Sequence, residues 1–418
     1  MKQRRFLSII CILLLTAFSV SATSLGEKKR HVEWSTNLPI SVSNTAFGLA
    51  DIFQETVVID LAKIARELPD KGLVFDFRMN PDFMFGLNIG NLSFHSHLGL
   101  DTYGAFGLSK DLFTFLAAGN GESETMEFGA TAELEAFVFT GVSFGMNMGK
   151  LKFEVNPQVF VPAFHIAPNA LTATITNGED GSFSARATAD VDVFSIINIQ
   201  YFFDNSKSLG LEKIINSIGF DIGGTAEYQL FQFLKLGGHI NMPIVPGTLN
   251  NRVNMVYWAE AKTTEGSTIV DVIMDLAKGG SEDPKYSYDF GSEPGTFYTD
   301  AGFKINRPFR TGVSAVYSPF GKWFNVQGMI GLGVKQPFTE YAKPYLEYSV
   351  GLNLNWCKVF ELTVSSSCIK EIYSQNLDFI MNLWLFEMDL GVSLSSSSFV
   401  SSWCGRGINA YVAFTIGV

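Results

Sequence analysis

A chain of 418 residues that is 47% hydrophobic and 14% aromatic but only 17% charged departs from ordinary soluble proteins, in which about 25% of residues are charged. Its formal net charge of −11 argues against a nucleic-acid partner, because phosphate binding needs clustered Lys and Arg.

The chain opens on an export signal. Lys2, Arg4 and Arg5 form a basic n-region, Phe6 to Phe18 an apolar core, and Val20-Ser21-Ala22 the small residues of a cleavage site after Ala22. Cys11 follows Ile10 inside the apolar run, which argues against lipidation there. The run is too short to span a bilayer, which takes roughly 20 residues, and no later stretch is apolar for long enough.

Residues 23–71 read as a small, partly helical N-terminal hatch or plug. Asp60 is the expected N-cap of a helix through Leu61, Ile64, Ala65 and Leu68, with Pro69 and Gly72 ending it. Ala46 to Phe53 adds an apolar patch of Phe47, Leu49, Ile52 and Phe53.

From Gly72 to Val418 the period changes to two. Met126, Phe128, Ala130, Ala132, Leu134, Ala136 and Val138 share one face of an extended run. Phe183, Ala185, Ala187, Ala189, Val191 and Val193 share a face of another, and Ile408 to Val418 alternates likewise. Such runs exceed the usual 5–6-residue strand and match the roughly 9–11 residues that cross a bilayer at a tilt. Asn177 to Gly181, Met148-Gly149-Lys150 and Ser318 to Gly321 supply turn chemistry between runs. The expected fold is all-β: a transmembrane antiparallel barrel of about 14 strands, within 12–16. A secreted β-sandwich is the alternative, since its strands alternate too. Short helices are expected at Ser208 to Ser217 and at Ser267 to Lys278, the second inside a long external loop at about 262–298.

Candidate chemistry is sparse. Gly141-Val142-Ser143-Phe144-Gly145 fits G-x-S-x-G, yet no helix follows it, and Gly141 and Gly145 more simply mark a strand bend or lateral opening. His95 and His97 share a strand face with Ser93 and Asp101, as lumen lining, metal ligands or hydrolase parts. Glu133, Glu135 and Arg186 also point inward; carboxylates two apart on a strand stand about 7 Å from each other, and ion pairing in a polar interior accounts for them. No metal or cofactor is expected. Cys357, Cys368 and Cys404 are odd in number and leave the question of one disulfide open.

Several segments carry a resemblance. Ser43 to Leu49, Val58 to Leu61, Ile218 to Tyr228, Asn241 to Pro246 and Leu385 to Leu394 resemble a family of spirochaetal outer-membrane barrels grouped with the long-chain fatty-acid transporter (FadL-like) barrels. The resemblance implies a 14-stranded barrel, an N-terminal hatch and import of hydrophobic molecules such as fatty acids.

The functional expectation is a non-enzymatic outer-membrane channel for small hydrophobic molecules, long-chain fatty acids among them. Solute would land near Ile269, Val272, Ile273 and Leu276, enter a pocket closed by Phe47, Leu49, Ile52 and Phe53, and leave sideways near Gly141 and Gly145. Its partners would be outer-membrane lipid, the solute and the barrel-assembly machinery. A surface-exposed structural protein or adhesin binding host components, and a general diffusion porin, are the alternatives.

Overall fold

The computed structural model describes residues 30–46, 61–70, 72–118, 125–177, 182–198, 214–263, 286–293, 296–339, 342–357, 359–369, 372–396 and 398–418. The proposed signal sequence therefore lies outside the described residues, as do Asp60, Phe47, Leu49, Ile52, Phe53, Ile269, Val272, Ile273 and Leu276.

Antiparallel ladders dominate the chain. In order they are β1 (Val32–Asn44), β2 (Leu73–Met79), β3 (Asp82–Ile89), β4 (Leu92–Leu108), β5 (Thr125–Met148), β6 (Leu151–Asn177) and β7 (Phe183–Ser195). There follow β8 (Gly219–Phe231), β9 (Leu234–Val245), β10 (Gly247–Leu249), β11 (Asn251–Thr263), β12 (Tyr286–Ser292), β13 (Thr296–Tyr298) and β14 (Phe303–Ile305). The last are β15 (Phe309–Tyr317), β16 (Phe324–Lys335), β17 (Lys343–Trp356), β18 (Phe360–Ile369), β19 (Ile372–Leu383), β20 (Phe386–Ser396) and β21 (Gly407–Gly417). Helix α1 (Leu61–Glu67) follows β1, α2 (Lys110–Ala118) follows β4, and a one-turn α3 (Phe399–Ser402) follows β20.

β2 and β3 are one strand interrupted at Asn80-Pro81, since both pair with β1 on one side and β4 on the other. The break faces Pro39 of β1, whose missing N–H leaves one ladder bond unmade in any case. From there the ring runs through β4, β5, the first half of β6, β8, β9 and β15 to β21, which pairs back onto β1. With β2 and β3 counted once, that ring has fourteen strands; β7 and β11 branch from it, so the barrel carries sixteen long strands, two more than expected. The extra pair arises because β5 and β6, at 24 and 27 residues, outrun their neighbours in the ring and continue as a flap.

The N-terminal boundary also differs from the sequence reading. Val32–Asn44, read as part of a hatch, is a ring strand. Val32, Trp34, Leu38, Ile40 and Val42 do alternate there, but Pro39 within the run demotes it on sequence grounds. The helix expected from Leu61 onward is present, and it buries Ala65 and Leu68 against Leu73 of β2 and Phe113 of α2. Leu73 lies on the same strand face as the exposed Phe75 and Phe77, so this packing is on the outer side of the wall. Of the helix expected over Ser208 to Ser217, the described part is a single 3-10 turn at Ile215–Ser217.

Around the ring, exposed hydrophobics such as Trp34, Phe85, Leu98, Phe144, Val313 and Val350 alternate with inward polar residues. That is the pattern of a lipid-facing barrel exterior. Tight turns gather at one end: Gly90-Asn91, Gly149-Lys150, Gln232-Phe233 and Trp384-Leu385. Gly149, at φ +64°, adopts the left-handed conformation that such two-residue turns require. Exposed Phe320, Trp323, Trp356 and Trp384 ring this short-turn end. The long connections lie at the other.

Candidate functional site

The wall divides within β6. Up to Phe160 this strand pairs with β8, and from Phe164 onward with β7. β7 pairs with β11, and β11 with β12 and β13, so the upper parts of β5 and β6 and these strands form a flap beyond the ring. The ring neighbours β9 and β15 are joined by an excursion over residues 246–308 that contributes β11, β12 and β13 to this flap. Its two legs, β10 and β14, pair with each other as a separate two-stranded sheet.

Those legs pack inside the ring. Glu135, Phe137 and Phe139 of β5, with Gln158, Phe160 and Pro162 of β6, occupy the inward face, opposite the exposed Val138 and Val159. Leu249 and Ile305 bury themselves completely among Phe137, Phe160, Phe194 and Ile196. The fit leaves no room for side chains at two glycines: a Cβ on Gly247 would lie 2.6 Å from Pro162, and one on Gly219 2.2 Å from Phe160. Phe303, Phe194 and His165 form a three-ring cluster, with Phe303 stacked on Phe194 (4.2 Å) and on His165 (5.1 Å) and the last two 6.1 Å apart.

Charged groups add to this packing. Arg307, just past β14, donates to Gln158 Oε1 (2.8 Å) and Asp221 (3.1 Å), and its Nη2 lies 3.8 Å from Asp101. Its guanidinium also sits 4.3 Å from the Phe139 ring centroid. From the opposite wall, Lys335 reaches Glu133 and lies 3.9 Å from Glu135, while Gln336 donates to Glu135 at 2.7 Å. Gln336 and Phe338 adopt positive φ, of 44° and 64°, to turn this connection inward over the plug, where Asn306 donates to the Pro337 carbonyl.

Outside the wall, α2 lies across the flap. Phe115 and Phe128 meet at 5.2 Å and are buried with Ile175. Phe128 of β5, Ala173 of β6, Ala187 of β7 and Ala259 of β11 stand directly opposite one another across four strands. A second row runs Ala130, Leu171, Ala189 and Tyr257. Alanines fill so little space that an apolar cleft of about 360 Å³ remains between this floor and Leu108 and Leu112, within the roughly 300–1,000 Å³ of ligand pockets. Among the described residues no charged side chain lines it. Because β5 runs in unbroken register against β4, Phe128 and Ala130 share the face of the exposed Val138 and Phe144. Ala130 is one residue pair beyond the exposed Phe106, which faces Ala132, a rise of about 7 Å. The cleft therefore continues the apolar exterior at its upper rim.

A second cavity, of about 500 Å³, is lined by Phe194, Arg252, Tyr298 to Ala301 and Phe303. Arg252 on β11 is held bidentately by Asp192 at 2.8 and 2.9 Å, and those hydrogen bonds push its pKa above the usual arginine value. Its charge is thereby matched.

The residues singled out in the sequence fall in three places. His95 and His97 do line the ring interior; His95 stands 3.6 Å from Glu33, and His97 3.6 Å from Asp82 and 3.2 Å from Ser143 Oγ. Ser143 is wholly buried within an unbroken strand, with no nucleophile elbow and no access. No cluster of metal-ligating groups occurs among the described residues. Glu133 and Glu135 face the lumen and are engaged by Lys335. Arg186 belongs to the flap, facing Glu260 of β11, and lines no ring lumen. At Gly141 and Gly145 the register is continuous on both sides, so the wall is not broken there; it divides at Val161 to Ala163 instead. The three described cysteines are free. Of the loop expected over 262–298, the described part beyond Thr263 holds β12 and β13, both paired to β11.

Arg307 and the alanine floor were missed. The alanines were visible as one face of each run, but that Phe128, Ala173, Ala187 and Ala259 adjoin depends on strand register, which no local signal carries.

No protein-family model matches this sequence, and no curated protein is similar to it. Among solved structures the chain is similar to the Pseudomonas putida toluene transporter TodX, with 9% identity over 97% of this chain and 95% of that one and a TM-score of 0.44. It is also similar to a Pseudomonas aeruginosa FadL homologue (9%, 93% and 90%, TM-score 0.41) and to the CymD monoaromatic hydrocarbon channel (10%, 96% and 94%, TM-score 0.42). At such identities the likeness is one of backbone path, and function rests on this chain's own residues.

Proposed function

We propose that this protein is an outer-membrane channel for small hydrophobic molecules, and that the cleft between α2 and the flap is where cargo first binds. The observation that carries this is the pairing of an apolar cleft on the outer face with aromatic and ionic packing inside the ring. An apolar solute seated in the cleft gains about 25 cal/mol for each Å² it removes from water. The short-turn end would face the periplasm and the long connections the exterior, as in bacterial barrels. Long-chain fatty acids fit as cargo if the acyl chain occupies the cleft and the carboxylate stays wet, because burying an unpaired carboxylate is costly. The assembly machinery that inserts outer-membrane barrels would insert this one.

The test fills the cleft. Ala187→Trp and Ala259→Phe, in protein reconstituted into liposomes, are expected to slow uptake of a labelled fatty acid or naphthalene about tenfold, as loss of about 1.4 kcal/mol of binding would. Unchanged uptake, with the heat-modifiable band of a folded barrel retained, refutes the cleft. A diffusion porin would instead show steady single-channel conductance in the unaltered protein. The projecting flap favours one second reading, a surface that binds host components; binding of host matrix by a protein that shows no uptake would support it.

A further inference from the structure

The flap has a second face, turned away from α2, whose chemistry differs from that of the cleft. Phe194 of β7, Arg252 of β11 and Tyr298 of β13 stand in one row across three strands. Phe194 is buried with Phe137 and Phe160 inside the ring, so this row continues the inward face. The Arg252 guanidinium carbon lies 5.8 Å from the Phe194 ring centroid and 5.3 Å from that of Tyr298. Asp192 accepts from its Nε and Nη2 at 2.8 and 2.9 Å. Asn254, on the same face, donates through Nδ2 to Asp190 (2.7 Å) and Asp192 (3.0 Å). The net fixes both side chains and leaves two polar atoms over. Among the described residues, Nη1 of Arg252 and Oδ1 of Asn254 have no hydrogen-bond partner. The cavity of about 500 Å³ opens beside Arg252, with exposed Tyr298, Thr299 and Asp300 on its rim. About 20 Å along β11, again on this face, the Trp258 indole lies across Gly291 of β12, where a Cβ would stand 2.2 Å from it.

The charges of this face disfavour an anion. Arg252 is matched by Asp192, and Arg186 and Lys262 stand beside Glu260 and Asp289, while Asp190 and Asp300 add further negative charge. A purely apolar ligand would strip water from Arg252 and Asn254 without replacing its hydrogen bonds. A neutral diol suits both conditions. Each hydroxyl donates and accepts, so a diol accepts from Nη1 of Arg252 and donates to Oδ1 of Asn254 or to a carboxylate. Hydrogen bonds to ionised partners are about twice as strong as neutral ones. The C–H face of a sugar ring meets the negative face of an aromatic ring favourably, and Tyr298 and Trp258 supply two such rings. We propose that this cavity, with Trp258 as a second platform, binds an uncharged oligosaccharide. The sugar site and the cargo cleft lie on opposite faces of the flap, and neither needs the other.

The test applies the full-length protein, in detergent, to a printed array of neutral and acidic oligosaccharides of animal and bacterial origin. Retention on neutral hexose or N-acetylhexosamine chains is expected, and the origin of the chains retained separates a host glycan from a bacterial one. Tyr298→Ala should weaken binding of the best of them about tenfold, as loss of one stacking contact would. Tyr298→Phe keeps the ring and should stay within about twofold of the unaltered protein. Arg252→Lys should also cost about tenfold, because one ammonium cannot hold Asp192 bidentately and still present a fixed donor to the sugar. No retention, retention on acidic chains alone, or undiminished binding by a Tyr298→Ala protein that keeps its folded band overturns the site. Displacement of the bound sugar by naphthalene would overturn it as well, by making the cavity part of the cargo path.

Discussion

Tyr411 shows how tightly single positions of the ring are set. Its hydroxyl donates to Asp389 at 2.8 Å, and its ring lies across Gly391, where an added Cβ would stand 1.9 Å from a ring carbon. Gly391→Ala is therefore expected to destabilise the barrel by about 1–3 kcal/mol, the usual cost of overpacking, read as a lower urea midpoint of the heat-modifiable band. Gly129 offers the contrast. A Cβ there would meet nothing within 4 Å, and Gly129→Ala should change stability by no more than about 0.5 kcal/mol. Equal effects at both positions would contradict the packing described for Tyr411.

At the scale of elements, the helix α2 is a separate attachment to the wall. Phe115 is its anchor, 1% exposed against Phe128 and Ile175. Phe115→Ala should weaken its docking by about 3–5 kcal/mol, so protease cleaves near α2 faster while the ring stays intact. Loss of the whole barrel would mean instead that α2 is integral to it. This helix was not legible in the sequence: its run is too short for a clear 3.6-residue period to stand out. The ring strands were legible wherever alternation ran on, as in Thr125 to Val138. β1 was not, because Pro39 interrupts a pattern that Val32, Trp34 and Leu38 otherwise carry. The cleft and the plug were illegible for a different reason. Each is made of residues from strands far apart in the chain, such as Phe160, Leu249 and Ile305, and only the register brings them together.

For the molecule as a whole, the two faces of the ring obey different solvents. Val350 and Ser349 are neighbours on β17, one exposed outward and one inward. Val350→Arg should cost up to about 2–4 kcal/mol, the range for a cation on the lipid face near the midplane, seen as a loss of folded band in lipid bilayers. Ser349→Asn, on the polar side, should leave folding unchanged. A tolerance for arginine at Val350 would show that this surface meets water.

One consequence follows from the pairing of β1 with β21. Val32 N–H and C=O bond to Val418, and the register runs from Glu33 opposite Gly417 to Ser43 opposite Gly407. β1 is made before β21, and its edge stays bare until more than three hundred further residues have followed it. Contacts so distant in sequence form slowly, and a bare edge is an invitation to neighbouring chains. On the proposed function, that places a demand on delivery: an escort that shields β1 until β21 arrives would meet it.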